Sequence, residues 1–79
     1  MLYSHEVRTV PLESHYLLTP EFVKPPRFFD ISRAVSHAKK RAESYSSRAR
    51  FEVVELKTGH TKATYETDGQ GDVKSQAFL

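Results

Sequence analysis

Residues 30–48 read DISRAVSHAKKRAESYSSR, and the rest of the chain is organised around them. Ile31, Ala34, Val35, Ala38, Ala42 and Tyr45 recur at spacings of three and four, which places them on one face of an α-helix. Arg33, His37, Lys40, Arg41, Ser44 and Arg48 fill the arc beside them. The spacing predicts a two-faced helix, with an apolar stripe to bury and a basic stripe to show. Asp30 stands where an N-cap belongs, because its carboxylate can accept the first unpaired backbone N–H groups and complement the positive helix end. Ser32 is a second residue of capping type. Ser46, Ser47 and Arg48 let the far end fray, with a cation at the negative pole.

Downstream of the helix, Arg50-Phe51-Glu52-Val53-Val54-Glu55-Leu56 has the β-branched and aromatic content of a strand. Alternation sends Phe51 and Val53 one way, Val54 and Leu56 the other. Lys57-Thr58-Gly59-His60 reads as a tight turn, with Gly59 supplying the positive φ. Thr61 to Thr67 returns as a strand, with Thr61, Ala63, Tyr65 and Thr67 on one face and Lys62, Thr64 and Glu66 on the other. Tyr65 is expected beside Phe51 and Val53, meeting the helix.

Upstream, residues 2–10 alternate imperfectly and read either as a strand or as a loosely attached arm, ended by Pro11 or left at a sheet edge. Ser14 to Thr19 is a short apolar run, also read as a strand. Pro20 to Phe29, PEFVKPPRFF, carries three prolines in seven residues, which excludes a regular helix and starves a sheet of donors. It is expected to be an extended connector with partial polyproline character, pinned to the body by Phe22, Phe28 and Phe29, the alternative being an exposed aromatic-proline ligand for a partner groove. Asp68-Gly69-Gln70-Gly71-Asp72 is turn and linker chemistry, and residues 68–79 are expected to be a flexible C-terminal tail. The fold class is therefore α+β: one helix packed on a small antiparallel sheet, in the order β(β)-α-β-β, with a C-terminal hairpin. Residues 1–67 form a single domain. The second sheet face, with Val54, Leu56 and Thr64, is expected to be partly apolar and uncovered.

Seventy-nine residues build one modest core and leave little room for an enclosed substrate pocket. The chain has no cysteine, so disulfides and thiolate chemistry are excluded. MLYSHEVRTV lacks the uninterrupted apolar core of a signal peptide, no apolar run is long enough to span a membrane, and the expected location is the cytoplasm. The net charge of +2 is unevenly placed. Residues 24–50 hold eight Lys or Arg against Asp30 and Glu43, a balance of +6, whereas residues 51–79 hold three Lys against five acids, a balance of −2. The basic half is suited to an anionic partner.

No reaction is written in the sequence. His5, His15, His37 and His60 lie 10, 22 and 23 residues apart, and none has the i, i+4 spacing of a helical metal pair. There is no GxSxG elbow, the three glycines form no phosphate loop, and Glu52 and Glu55 lie on opposite strand faces. The chain is expected to be no enzyme and to need no cofactor or metal. Its candidate partner-binding residues are Lys24, Arg27, Arg33, His37, Lys40, Arg41 and Arg48. An acidic protein surface, alone or within a protein–nucleic-acid complex, would meet them electrostatically. Nucleic acid is the alternative, with phosphates along the same cations and Tyr16 or Phe28 stacking on a base. A third reading is an assembly subunit dimerising through the open sheet face.

The layout of Ile31 to Tyr45 followed by FEVVELKTGHTKATYE resembles that of small phage-encoded proteins that bind and disable a host machine, among them anti-CRISPR proteins and inhibitors of host RNA polymerase. The likeness spans roughly residues 16–67 and matches no motif residue by residue, so it carries over no functional residues. It implies a phage-encoded, stoichiometric binder that inhibits or modulates a host macromolecular complex by blocking a surface.

Overall fold

A computed structural model describes residues 2–12 and 24–78. In chain order these form strands β1 (His5–Pro11) and β2 (Arg27–Phe28), helix α1 (Ile31–Ser44), and strands β3 (Ala49–Glu55), β4 (Thr61–Thr67) and β5 (Val73–Ala77). The strands make one sheet in the spatial order β2-β1-β3-β4-β5, every neighbour antiparallel. The α+β class holds, with the order β-β-α-β-β-β and α1 laid on one sheet face.

Asp30 caps α1 as its chemistry predicts: its backbone is extended and its Oδ1 accepts the Arg33 N–H at 2.8 Å. Ala34, Ala38 and Ala42 lie one turn apart and are each 0% exposed, so the helix backbone rides close to the sheet. Beneath them are Val7, Ala49, Phe51, Val53 and Ala63. The Phe51↔Tyr65 and Val53↔Ala63 register places Tyr65 on the helix side, where it packs against that cluster. Gly59 turns the β3–β4 hairpin with φ +77°. Tyr45, the C-cap, sets its ring edge-on to Phe51 at 5.2 Å.

Residues 2–10 are not an arm, because β1 pairs with β3 along its whole length. Pro11 fits because Leu12 donates to the Arg48 carbonyl at 3.1 Å. Hydrogen-bonded pairs alternate in an antiparallel ladder, so position 11, opposite Ala49, turns its nitrogen away from β3 and no ladder bond is lost. Within the connector, Arg27 and Phe28 add a two-residue strand to β1 just after Pro25 and Pro26. The strand expected at Ser14 to Thr19, and the packing expected of Phe22, lie outside the described residues.

The helix ends at Ser44 rather than running on to Arg48, so Arg48 belongs to the approach to β3 and not to a helical stripe. The Ser44 hydroxyl donates back to the Lys40 carbonyl, and Tyr45 turns extended to reach Phe51. Ile31, assigned to the buried stripe, is 44% exposed, because it occupies the first helical position, ahead of the turns that touch the sheet. Phe29 is 42% exposed. Neighbouring residues in extended chain point to opposite sides, and Phe28 takes the inward one.

The flexible tail expected at 68–79 instead contains β5. The Asp68 carboxylate accepts the N–H groups of Gln70 at 2.7 Å and Asp72 at 3.2 Å, so the linker-like run is a closed turn. This makes β4 an interior strand and β5 the sheet edge. The second sheet face is also not apolar. Register partners share a face, so Glu6, Arg8, Arg50, Glu52, Glu66 and Lys74 lie together there. Arg8 and Arg27 pair with Glu6, and Arg50 with Glu52. Val54 on that face is 1% exposed.

Candidate partner-binding surface

With its apolar side against the sheet, α1 turns Ser32, Arg33, Ser36, Lys39, Lys40, Glu43 and Ser44 outward, all exposed. Of the basic residues read from the sequence, Arg33 and Lys40 lie on this face. Arg33 is tied to the helix start, its Nε 3.4 Å from Asp30 Oδ2. His37 and Arg41 lie half-buried on the flank. The His37 ring sits 5.0 Å from that of Phe28, and the Arg41 guanidinium lies 5.7 Å from the centre of the Tyr45 ring. Lys39 joins the face although it was outside the predicted basic arc.

The other candidates are elsewhere. Lys24 and Arg27 line a cavity of about 740 Å³ with Tyr3, Glu6, Pro25 and Pro26. Arg27 Nε is 3.2 Å from Glu6 Oε1. Arg48 lies in a small cavity of about 150 Å³ lined also by Glu66, Asp68, Asp72 and Lys74. The predicted basic surface thus separates into the helix face, the Lys24–Arg27 cavity and the Arg48 corner.

Leu2 and Tyr3, which the sequence did not single out, are exposed, as are Phe29 and Ile31, which were expected to pack inward. Tyr3 and Phe29 stack with ring centres 4.7 Å apart and planes 19° from parallel. The signal for Phe29 was present in the Phe28-Phe29 pair, since both cannot face inward from extended chain.

Among the described residues no group of three or more His, Cys, Asp or Glu side chains is placed to hold a metal ion. The Ser4 hydroxyl lies 2.7 Å from His5 Nδ1, a distance that invites a nucleophile–base reading. However, the Ser4 hydroxyl donates its proton to the Phe29 carbonyl at 2.9 Å, so Nδ1 of His5 must be the donor to Ser4. The pair fixes β1 to the start of α1 and does not activate the serine. The Glu55 carboxyl is held below the usual glutamate range, chiefly by the Thr58 hydroxyl that donates to it at 2.8 Å.

No described helix is long and apolar enough to cross a membrane. Comparison with known protein families, curated proteins and solved structures finds no match.

Proposed function

We propose that the chain is a non-enzymatic binding protein, of the phage-encoded kind that inhibits or modulates a host macromolecular complex, and that it docks on an acidic protein surface through the outward face of α1. The observation that carries this reading is the division of labour around the helix. Ala34, Ala38 and Ala42 are wholly buried, so the helix is fixed, while Arg33, Lys39 and Lys40 stand exposed on its other side. A rigid helix presents these cations with little further ordering on binding, and their charge speeds encounter with an acidic partner. Ser32, Ser36 and Ser44 lie between the charges and keep the face low enough for close approach. Glu43 interrupts the positive field, which a protein surface of mixed charge accommodates better than a run of phosphates.

A photo-cross-linking residue at Ser36 tests this in bacterial extract. A discrete adduct with an acidic protein is expected, and it should be lost in the double variant Lys39→Glu, Lys40→Glu. An adduct of undiminished yield in that variant would overturn the helix-face reading.

A further inference from the structure

Among the described residues, the strongly exposed large apolar side chains are Leu2 at 91%, Tyr3 at 47%, Ile31 at 44%, Phe29 at 42% and Phe78 at 41%. Four of these five come from two short pieces of chain, 2–3 and 29–31, which the Tyr3–Phe29 stack joins into one patch. The patch is held in place from below. Ser4 N–H donates to the Phe28 carbonyl at 2.8 Å and the Ser4 hydroxyl to the Phe29 carbonyl at 2.9 Å, so the backbone and side chain of Ser4 tie both ring-bearing pieces together. On the Tyr3 side, the same ring lines the cavity that Lys24 and Arg27 enter. The carboxylate in that cavity, Glu6, is compensated by Arg8 and Arg27.

We propose that this aromatic step binds single-stranded nucleic acid, with bases stacked on the exposed rings of Tyr3 and Phe29 and phosphates held by Lys24 and Arg27. A single strand offers flat apolar bases alternating with anions, which matches rings beside cations. A duplex hides its base faces and would meet only the cations. A second copy of this chain would bring the same basic rim against itself, so like charges oppose that pairing. The site does not depend on the helix face. Together the two would suit a partner complex made of both protein and nucleic acid.

Fluorescence anisotropy on the full chain tests the proposal, using a fluorescein-labelled oligothymidylate of about 12 nucleotides, alone or annealed to its complement, at about 50 mM salt. Binding of the single strand in preference to the duplex is expected. Tyr3→Leu keeps the apolar bulk but removes the π face, and it should weaken binding about tenfold, as should Phe29→Leu. Lys24→Ala should leave stacking intact while flattening the salt dependence by about 0.7 in log K against log salt. No binding at low salt, equal affinity for duplex, or full affinity in both leucine variants would overturn the proposal. The last outcome would reassign the patch to an apolar protein contact.

Discussion

Gly69 abuts the backbone of Ser47 so closely that a Cβ at position 69 would stand 2.9 Å from the Ser47 carbonyl carbon and 3.0 Å from its Cα. The contact links the turn before β5 to the loop between α1 and β3, and Gly69 also holds φ +85°. Gly71 has φ +93° but open space around it. Gly69→Ala should therefore destabilise the chain by about 2–3 kcal/mol, against about 1 kcal/mol for Gly71→Ala, which carries only the backbone penalty. Urea unfolding of the two variants compares them directly, and equal midpoints would show that the Ser47 contact contributes nothing.

The alanine seam of α1 sets the distance between helix and sheet. Ala38 is 0% exposed at the middle of that seam, so Ala38→Leu forces the two apart and should destabilise by about 1–3 kcal/mol or more. Ser36→Ala, two positions away on the exposed side, should be neutral or slightly stabilising, because alanine is the better helix former. Thermal melts followed by circular dichroism separate the two cases. A melting temperature unchanged in Ala38→Leu would mean that the helix is not seated on the sheet through its alanines.

At the start of the same helix, Asp30 accepts the Arg33 N–H and pairs with the Arg33 side chain. Both side chains are more than half exposed, so the ion pair itself contributes only a few tenths of a kcal/mol. The cap contributes more: Asp30→Ala should cost about 1 kcal/mol, whereas Asp30→Asn, which keeps an acceptor at the cap, should cost only a few tenths. Denaturation of both variants at moderate salt measures the difference.

Acid should reach the β3–β4 hairpin through Glu55. Its carboxyl titrates below the ordinary range because the Thr58 hydroxyl donates to it, with Lys62, His5 and His60 adding positive charge and desolvation opposing them. A carboxyl whose folded pKa is depressed contributes stability above its unfolded pKa, and that contribution is lost as pH falls through the folded value. Thr58→Val should raise the Glu55 pKa toward the ordinary value and make hairpin stability less sensitive to acid. A carbon-detected NMR titration of the Glu55 carboxyl reads the shift. An unchanged titration in Thr58→Val would remove the hydroxyl as its cause.

The helix and the β3–β4 hairpin were legible because their signals are local. Asp30 precedes a three-and-four apolar spacing, and Gly59 sits between two alternating runs. The β4 bounds and the placing of Tyr65 on the face of Phe51 and Val53 followed from alternation alone. β5 was illegible because VKSQA has little apolar content. Its strand is imposed by the Asp68 turn and by the unpaired edge of β4, which are tertiary facts. The charge of the second sheet face was hidden for a related reason, since Glu6, Arg8, Arg50 and Glu52 become neighbours only once β1 pairs with β3. The candidate basic residues were identified by type, but their grouping depended on where α1 stops. Ending at Ser44 sends Arg48 to the opposite corner.

Edge strand β5 gives the sharpest test of what the sequence left unread. Phe78 N–H donates to the Lys62 carbonyl at 2.8 Å, and the register continues through Gln76↔Thr64 and Lys74↔Glu66. In an antiparallel ladder hydrogen-bonded pairs alternate with non-bonded ones, so the N–H groups of Lys74, Gln76 and Phe78 face β4, while those of Ser75 and Ala77 face outward. Hydrogen exchange resolved to single amides should show slow exchange at 74, 76 and 78 and fast exchange at 75 and 77. Uniformly fast exchange across residues 73–78 would restore the frayed tail. Uniform protection would mean that another strand has added to the outer edge, and dilution of the sample should then return the alternation if that strand comes from a second copy.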